Sequence, residues 1–333
     1  MLQLPKLALG VRALVLAMLV AGTLLRATPA LSQTFPSRPV RIIVPVTAGG
    51  LSDILTRAYA QELSQLWGQQ VLVENRPGAN TILAAEATAK AAPDGHTLML
   101  STPPAISINQ FLFKKLPYDP ERDLAPVFII AYAPPLFIVG ASVPVNTLQE
   151  FIALAKSKPG ELAYGSFGMG SVAQIDIEIL SAKAGIRMNH IPYKGIADVL
   201  PALTSGLIQF GYAGIPPALP LIRQGRIKAL AVAAPRRIAV LPDVPTLDEA
   251  GLPGLDLRGW FGIVAPSATP RPVIDRIATD MAQVSARPGF SEKAITGVGL
   301  EPMLLMPEAF AEFVKKERTR NSEVIRSLKL SLD

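Results

Sequence analysis

"VRIIVPVTAGGLSD", residues 40–53, carries the first decision about this chain. The unbroken apolar run "VRIIVPV" reads as a strand buried on both faces, the pattern of a sheet covered by helices. Gly49 and Gly50 punctuate it, and from Ser52 a helical period begins. That period puts Leu55, Tyr59, Leu63 and Leu66 on one face and stops at Gly68. The alternation then repeats. "QVLVEN" (70–75) predicts a second strand, an alanine-rich helix follows "RPGAN" and ends at "PDG" (93–95), and "HTLMLS" (96–101) predicts a third strand. Such a βαβαβ unit usually carries a site at the carboxyl ends of its strands.

Further along, "APVFIIAYAPPLFIVG" (125–140) contains two apolar runs divided by Pro134-Pro135, where a central strand cannot continue. This predicts a passage into a second body. There, "TLQE" (147–150) has the spacing of a capping box, with Thr147 accepting from the third helical N–H and Glu150 reaching back. Strand "ELAYGSF", glycine turn "GMGS" (168–171) and a helix through Ala184 follow, and αβ alternation runs to "RIKALAVAA" (226–234). Proline-rich "PDVPTLDEAGLPG" (242–254) and strand "LRGWFGIVAP" (257–266) predict the return passage. In the helical tail, Phe310, Phe313, Val314, Val324, Ile325 and Leu328 fall near one face, which should pack back on the first body. The expectation is an α/β protein of two lobes, each a mostly parallel sheet flanked by helices. Residues 33–133 plus 257–333 form a discontinuous lobe 1, and 134–256 form lobe 2.

The amino terminus stands apart. Lys6 and Arg12 precede "ALVLAMLVAGTLL" (13–25), too short to span a bilayer comfortably, and "ALS" (30–32) supplies small residues before a cut. Residues 1–32 therefore read as a signal peptide, and the product as soluble and exported, most simply to a periplasm. Removing Lys6, Arg12 and Arg26 lowers the formal charge from +6 to +3 over the remaining 301 residues, enough for two domains. The chain has no cysteine, which excludes disulfides, thiolate chemistry and a lipidated cysteine. Charges are interspersed without a long basic run, so a nucleic-acid surface is not expected.

Several chemistries lack their residues. Two histidines, His96 and His190, and no close acidic cluster argue against a metal. No Gly-Lys pair exists for a phosphate loop. "GMGSVA" (168–173) fits G-x-G-x-x-A, yet "RMNHIPYKG" offers no acid for a ribose, so no cofactor is expected. The nucleophile elbow is missing, "GLSDI" (50–54) being the nearest approach. His190 reads as a hydrogen-bonded structural histidine and Lys194 as a solvated lysine; the enzymatic rival is a hydrolase using Ser52 or Ser171 with His190.

What remains is a pair of glycine loops, "TAGGLSD" and "SFGMGSVA", one in each lobe and each at a strand-to-helix turn. Helix starts carry unsatisfied N–H donors and a partial positive charge, so both loops can accept an anion. Ser52 or Asp53 can cap the first helix and Ser171 the second. Two such loops in lobes joined twice fit a cleft that closes on a small anion.

Ordered segments now carry a resemblance. "FPSRPVRIIVPVTAGGLSD" (35–53), "VLVENRPGAN" (71–80), "AAPDGHTLML" (91–100), "KLPYDPERDLAPV" (115–127), "YGSFGMGS" (164–171), "HIPYKG" (190–195), "ALPLIRQGRIKALAV" (218–232), "LPDVPTLDEAGLPG" (241–254) and "WFGIVAP" (260–266) follow one another. The whole exported chain resembles the substrate-binding receptors of tripartite tricarboxylate transporters, the Bug-type periplasmic proteins. The resemblance implies a Venus-flytrap periplasmic-binding-protein fold, no catalysis, and a small organic mono- or dicarboxylate delivered by a monomer to membrane permease subunits. Presentation to a sensor kinase is the alternative outlet. It also implies a carboxylate held by backbone amides, partly through ordered waters, at Thr47, Ala48, Gly49 and Gly50, and by Ser166, Gly168, Gly170 and Ser171. Thr102 would line the cleft, with Ser52 and Asp53 as loop support. Relatives usually carry a proline pair where this chain has Thr47-Ala48, and the Thr47 hydroxyl offers an extra donor. Many also place an aspartate where this chain has Ala213-Gly214, which leaves room for a flatter or more apolar ligand between Phe167 and Tyr212 and disfavours an amino acid.

Overall fold

In the first βαβαβ unit, strand β1 (Val40–Val44) is almost wholly buried, as a strand covered on both faces must be. The computed structural model describes residues 35–333 apart from 256, 258, 329 and 333, so the expected signal peptide lies outside the described residues. Residues 38–333 form one compact unit. Helix α1 (Leu51–Trp67) buries Leu55, Tyr59 and Leu63 and ends on Gly68, whose φ of 63° is the left-handed cap that glycine supplies at least cost. Strands β2 (Val71–Asn75) and β3 (Thr97–Ser101) flank β1 in parallel, with Val40 opposite Val71 and Arg41 opposite Thr97. Helix α2 (Ile82–Ala89) joins them, and a short helix α3 (Asn109–Leu112) follows a π-helical turn over Pro104–Ile108.

Strand β4 (Leu124–Ala133) leads out of this sheet, and after Pro134-Pro135 the chain continues as β5 (Leu136–Gly140) of a second sheet. Helix α4 (Leu148–Ser157) starts at the expected capping box: the Glu150 N–H donates to Thr147 Oγ1 at 3.1 Å. The Glu150 carboxylate reaches back one residue further than expected, to the N–H of Asn146 at 2.6 Å. Then come β6 (Ala163–Ser166), α5 (Val172–Ala184), β7 (Asn189–Pro192), α6 (Ile196–Thr204), β8 (Phe210–Ala213), α7 (Ile215–Arg223) and β9 (Ile227–Val232). The chain returns through β10 (Gly259–Pro266), α8 (Arg271–Ser285), α9 (Phe290–Ala294), β11 (Glu301–Leu305) and α10 (Pro307–Leu328).

The strand orders are β11-β4-β10-β3-β1-β2 and β7-β6-β8-β5-β9. The expectation of mostly parallel sheets needs correction, because both are mixed. Parallel pairing is confined to β1–β3 and β6–β8, where helices make the crossovers. The passages impose the rest. Outgoing β4 lies beside incoming β10, from Leu124 opposite Pro266 to Ala133 opposite Gly259, so the pair is antiparallel. By the same logic β5 runs antiparallel to β9. Each connection thus crosses as half of a two-stranded ribbon.

Apolar clusters occupy both sheets. In the first, Ile43, Met99, Ile129, Trp260 and Phe310 are buried together, and α10 sets Phe310 and Phe313 edge-on against Trp260 at 5.4 and 5.8 Å. In the second, Phe137, Phe151 and Phe210 stack on one face while Leu136, Val199, Leu203 and Ile215 fill the other. Fully burying side chains of this size is worth about 1.5–3 kcal/mol each.

Candidate ligand-binding cleft

The turn after β1 is exposed at Thr47, Ala48 and Gly49. A Cβ on Gly49 would meet nothing within 4 Å, so the glycine is there for its φ of 87°, not for space. Its N–H donates to Asp53 Oδ2 at 3.0 Å, and the same oxygen accepts from Arg57 Nε at 3.0 Å. Asn75, at the end of β2, donates from Nδ2 to Asp53 Oδ1 at 2.9 Å and to the Val46 carbonyl at 3.0 Å. Burial alone would raise the Asp53 pKa; the hydrogen bonds from Arg57, Gly49 and Asn75 outweigh it and hold the carboxyl below its ordinary range. Asp53 therefore braces the turn instead of facing the cleft.

Neither Ser52 nor Asp53 caps α1. Its N-cap is Gly50, extended at φ −75° and ψ 166°, with no side-chain capping bond. Ser52 is buried as the second residue of the helix, where its carbonyl accepts from Thr56 Oγ1 at 2.6 Å. The first helical bond runs from Ile54 N–H to Gly50 O, which leaves the N–H groups of Leu51 and Ser52 without an acceptor among the described residues.

The second loop is arranged differently. Ser171 caps α5, accepting from the Gln174 N–H at 3.4 Å, and the Gly170 N–H donates to Gln174 Oε1 at 2.6 Å. Buried Ser166 uses its hydroxyl inside the loop, donating to Gly168 O at 3.0 Å and accepting from Gly168 N–H at 3.2 Å. The amides of Gly168 and Gly170 are thus already engaged. Phe167 is half-buried, edge-on to Tyr212 at 5.7 Å. Tyr212 is buried, and burial, then the charge of Asp176 and a hydrogen bond to it, push its pKa well above the ordinary value. Ala213 is buried on the opposite face of the sheet. Thr102 is half-buried beyond β3, at the same sheet end as the first glycine turn.

Two glycines outside the expected set complete the geometry. Gly195 and Gly214 are the N-caps of α6 and α7, again without side-chain capping bonds. A Cβ on Gly195 would stand 3.9 Å from Thr47 Oγ1, and one on Gly214 would stand 3.3 Å from Leu51 Cδ2. The start of α1 therefore meets the starts of α6 and α7 across the gap between the sheets. Three helix starts with bare glycine caps converge there; α1 and α6 bring free amides, whereas α7 opens Ile215-Pro216-Pro217 and offers only the Ile215 N–H in its first turn. A groove of about 480 Å³ runs beside α7, lined by Ile215, Pro216, Leu219, Arg223 and Val298, and its lining includes none of Thr47, Leu51, Ser52 and Gly195.

His190 pairs with Ser166, not with Ser52 or Ser171: Nε2 lies 2.6 Å from Ser166 Oγ, and the ring stacks on Tyr164. With the hydroxyl donating to Gly168 O, the imidazole acts as donor to the serine and leaves it unactivated. Burial lowers the His190 pKa, so the ring is neutral at pH 7. Among the described residues, no three His, Asp or Glu side chains gather as a metal site. The arrangement supplies neutral donors for an anion.

Comparison with known proteins shows the family and the fold. The profile of the tripartite tricarboxylate transporter family receptor matches residues 55–330. Protein BugT of Bordetella pertussis is 32% identical over 301 residues, covering 90% of this chain and 92% of that protein. Among solved structures, Rpa4515 of R. palustris with adipate superposes with a TM-score of 0.85 at 32% identity, covering 90% of this chain and 100% of that one. MatC from Rhodopseudomonas palustris with bound malate gives a TM-score of 0.79 at 32% identity, covering 87% and 100%. The two helix-flanked sheets are the two-lobed α/β fold of periplasmic binding proteins.

Proposed function

Because the chain belongs to the tripartite tricarboxylate transporter receptor family, we propose that it is an exported receptor that closes on a small organic mono- or dicarboxylate and delivers it to membrane permease subunits. It does so as a monomer and without turnover. Lobe 1 comprises residues 33–133 and 257–333, and lobe 2 residues 134–256. The observation that carries this reading is the convergence of the uncapped starts of α1, α6 and α7. A carboxylate there accepts the N–H groups of Leu51 and Ser52, the Thr47 hydroxyl and the amides after Gly195, replacing the water that otherwise solvates them. Within the expected set, Thr47, Ala48 and Gly50 face the ligand from lobe 1, and Thr102 and Phe167 line the walls. Gly49, Asp53, Ser166, Gly168, Gly170 and Ser171 shape the loops, and Tyr212 and Ala213 support them from the core.

The relatives with adipate and malate set the size range. No carboxylate is spare to receive an ammonium at the start of α1, since Asp53 is consumed by Arg57, Asn75 and Gly49. On the α1 side plain dicarboxylates are therefore preferred over amino acids; the one carboxylate in the first turn of α6 is Asp198. Thermal unfolding with malate, adipate, aspartate and glutamate tests this, because a ligand at about 100 times its dissociation constant adds about 2.7 kcal/mol to stability. A rise in midpoint with malate or adipate is expected. No shift with any carboxylate overturns the receptor reading, and a larger shift with aspartate or glutamate overturns the selectivity.

A further inference from the structure

Residues 79–81 hold a backbone conformation that side chains resist. Ala79, Asn80 and Thr81 have φ of 45°, 47° and 73°, in the region where Cβ crowds the following carbonyl. Asparagine tolerates it better than alanine or threonine. Thr81 also buries a hydroxyl with no hydrogen-bond partner among the described residues. Such a segment persists only where its surroundings over-determine it.

Those surroundings centre on Asn80. Its Nδ2 donates to Asn109 Oδ1 at 2.8 Å, and Asn109 Nδ2 donates back to the Asn80 carbonyl at 2.8 Å. The same Nδ2 donates to the carbonyl of Gly170, also at 2.8 Å. Asn80 and Asn109 belong to connections of the first sheet, whereas Gly170 lies in the β6–α5 loop of the second. The strain thus sits in one lobe while part of what offsets it comes from the other. Apolar groups seat the same loop: a Cβ on Gly170 would lie 2.6 Å from Leu332 Cδ1 and 2.7 Å from Leu112 Cδ1.

We propose that Asn80 is an interlobe latch, a positioning residue that ties Gly170 to lobe 1 when the cleft closes and so sets the closed fraction of the unliganded protein. The proposal rests on the closing cleft described above. Apparent affinity scales with the competent fraction, so a latch acts on every ligand by one factor and leaves their ranking alone. A residue touching the ligand would change the ranking.

Two variants separate the latch from the strain. Asn80→Gly removes the side-chain bonds but relieves the backbone; Asn80→Asp keeps the size and turns the donor into an acceptor aimed at a carbonyl. The chain has no cysteine, so Lys158→Cys and Lys316→Cys, both exposed and one in each lobe, accept a pair of labels for distance measurement. In both variants the unliganded distance distribution should shift toward the open form. Dissociation constants for malate and adipate should rise together, roughly three- to ten-fold, while the thermal midpoint of Asn80→Gly stays at or above that of the parent. An unchanged distance in both variants overturns the latch, as does a loss of affinity confined to one acid. Should the parent bind no carboxylate at all, the receptor reading fails while the unliganded distances still decide the latch.

Discussion

Replacing Asp53 by asparagine tests whether the glycine turn is held by a charge or only by shape. The carboxylate is 4% exposed and accepts from Gly49 N–H, Asn75 Nδ2 and Arg57 Nε. Hydrogen bonds to a charged group are each worth about 1.5–3 kcal/mol, but Arg57 is 51% exposed, and a pair of that kind contributes only about 0.3–0.5 kcal/mol. The asparagine oxygen can keep one of the two remaining donors; the other bond is lost, along with the ion pair. If Gly49 is released it meets water, because the turn is exposed. The loss should therefore be about 2 kcal/mol at pH 7, a sizeable part of a stability that is about 5–15 kcal/mol for most proteins. The sign with pH follows from the lowered pKa. The fold favours the charged form, so the contribution is complete above the unfolded aspartate value near 3.9 and fades as pH falls through the lower folded value. Urea unfolding of parent and variant at pH 7, 5 and 3 should give equal gaps at the first two and a smaller one at the third. A gap below about 0.5 kcal/mol at pH 7, or one that persists undiminished at pH 3, refutes the reasoning.

Thr47→Val keeps the side-chain shape and removes the hydroxyl; calorimetric titration should show roughly three- to ten-fold weaker binding of dicarboxylates at unchanged unfolding midpoint. Gly214→Val would drive a side chain into Leu51, 3.3 Å from a Cβ there, and should abolish binding by equilibrium dialysis while far-UV circular dichroism stays native. For His190 the folded pKa is lowered by burial, so below about pH 6.5 the unfolded chain takes up a proton that the native ring refuses. Stability should fall as pH drops from 7.5 toward 5, and His190→Gln should flatten that slope in urea titrations.

Much of this molecule can be read before folding because its punctuation is local. The buried run at 40–44, the left-handed stop at Gly68, the Thr147 capping box and the break at Pro134-Pro135 each lie within a few residues of their cause. The antiparallel half of each sheet is not legible this way. Leu124 and Pro266 meet only because two passages run side by side, and no period in either strand records its partner. The site divides along the same line. The first glycine turn is visible as a motif, but the Asp53–Arg57–Asn75 clamp resembles an ordinary solvated charge pair next to a strand end. Gly195 carries no signal of its own and Gly214 stands out only as the place of a missing aspartate, because each is a lone glycine after a short strand, and bare N-caps become informative only when three of them converge. The second glycine loop misled in the opposite way: its amides look available in sequence, yet Ser166 and Gln174 occupy them.

The position of β10 has a consequence for how the chain is made. It lies between β3 and β4, near the middle of the first sheet, yet it follows the whole of the second sheet in the chain. Until residues 259–266 emerge, β3 and β4 have no common neighbour, and the first sheet consists of β3-β1-β2 and an unpaired β4. Contacts of such long sequence separation form slowly, because loop closure must precede any gain from pairing. A nascent chain of this topology therefore cannot close its first sheet until nearly four-fifths of its residues, through β10, are present.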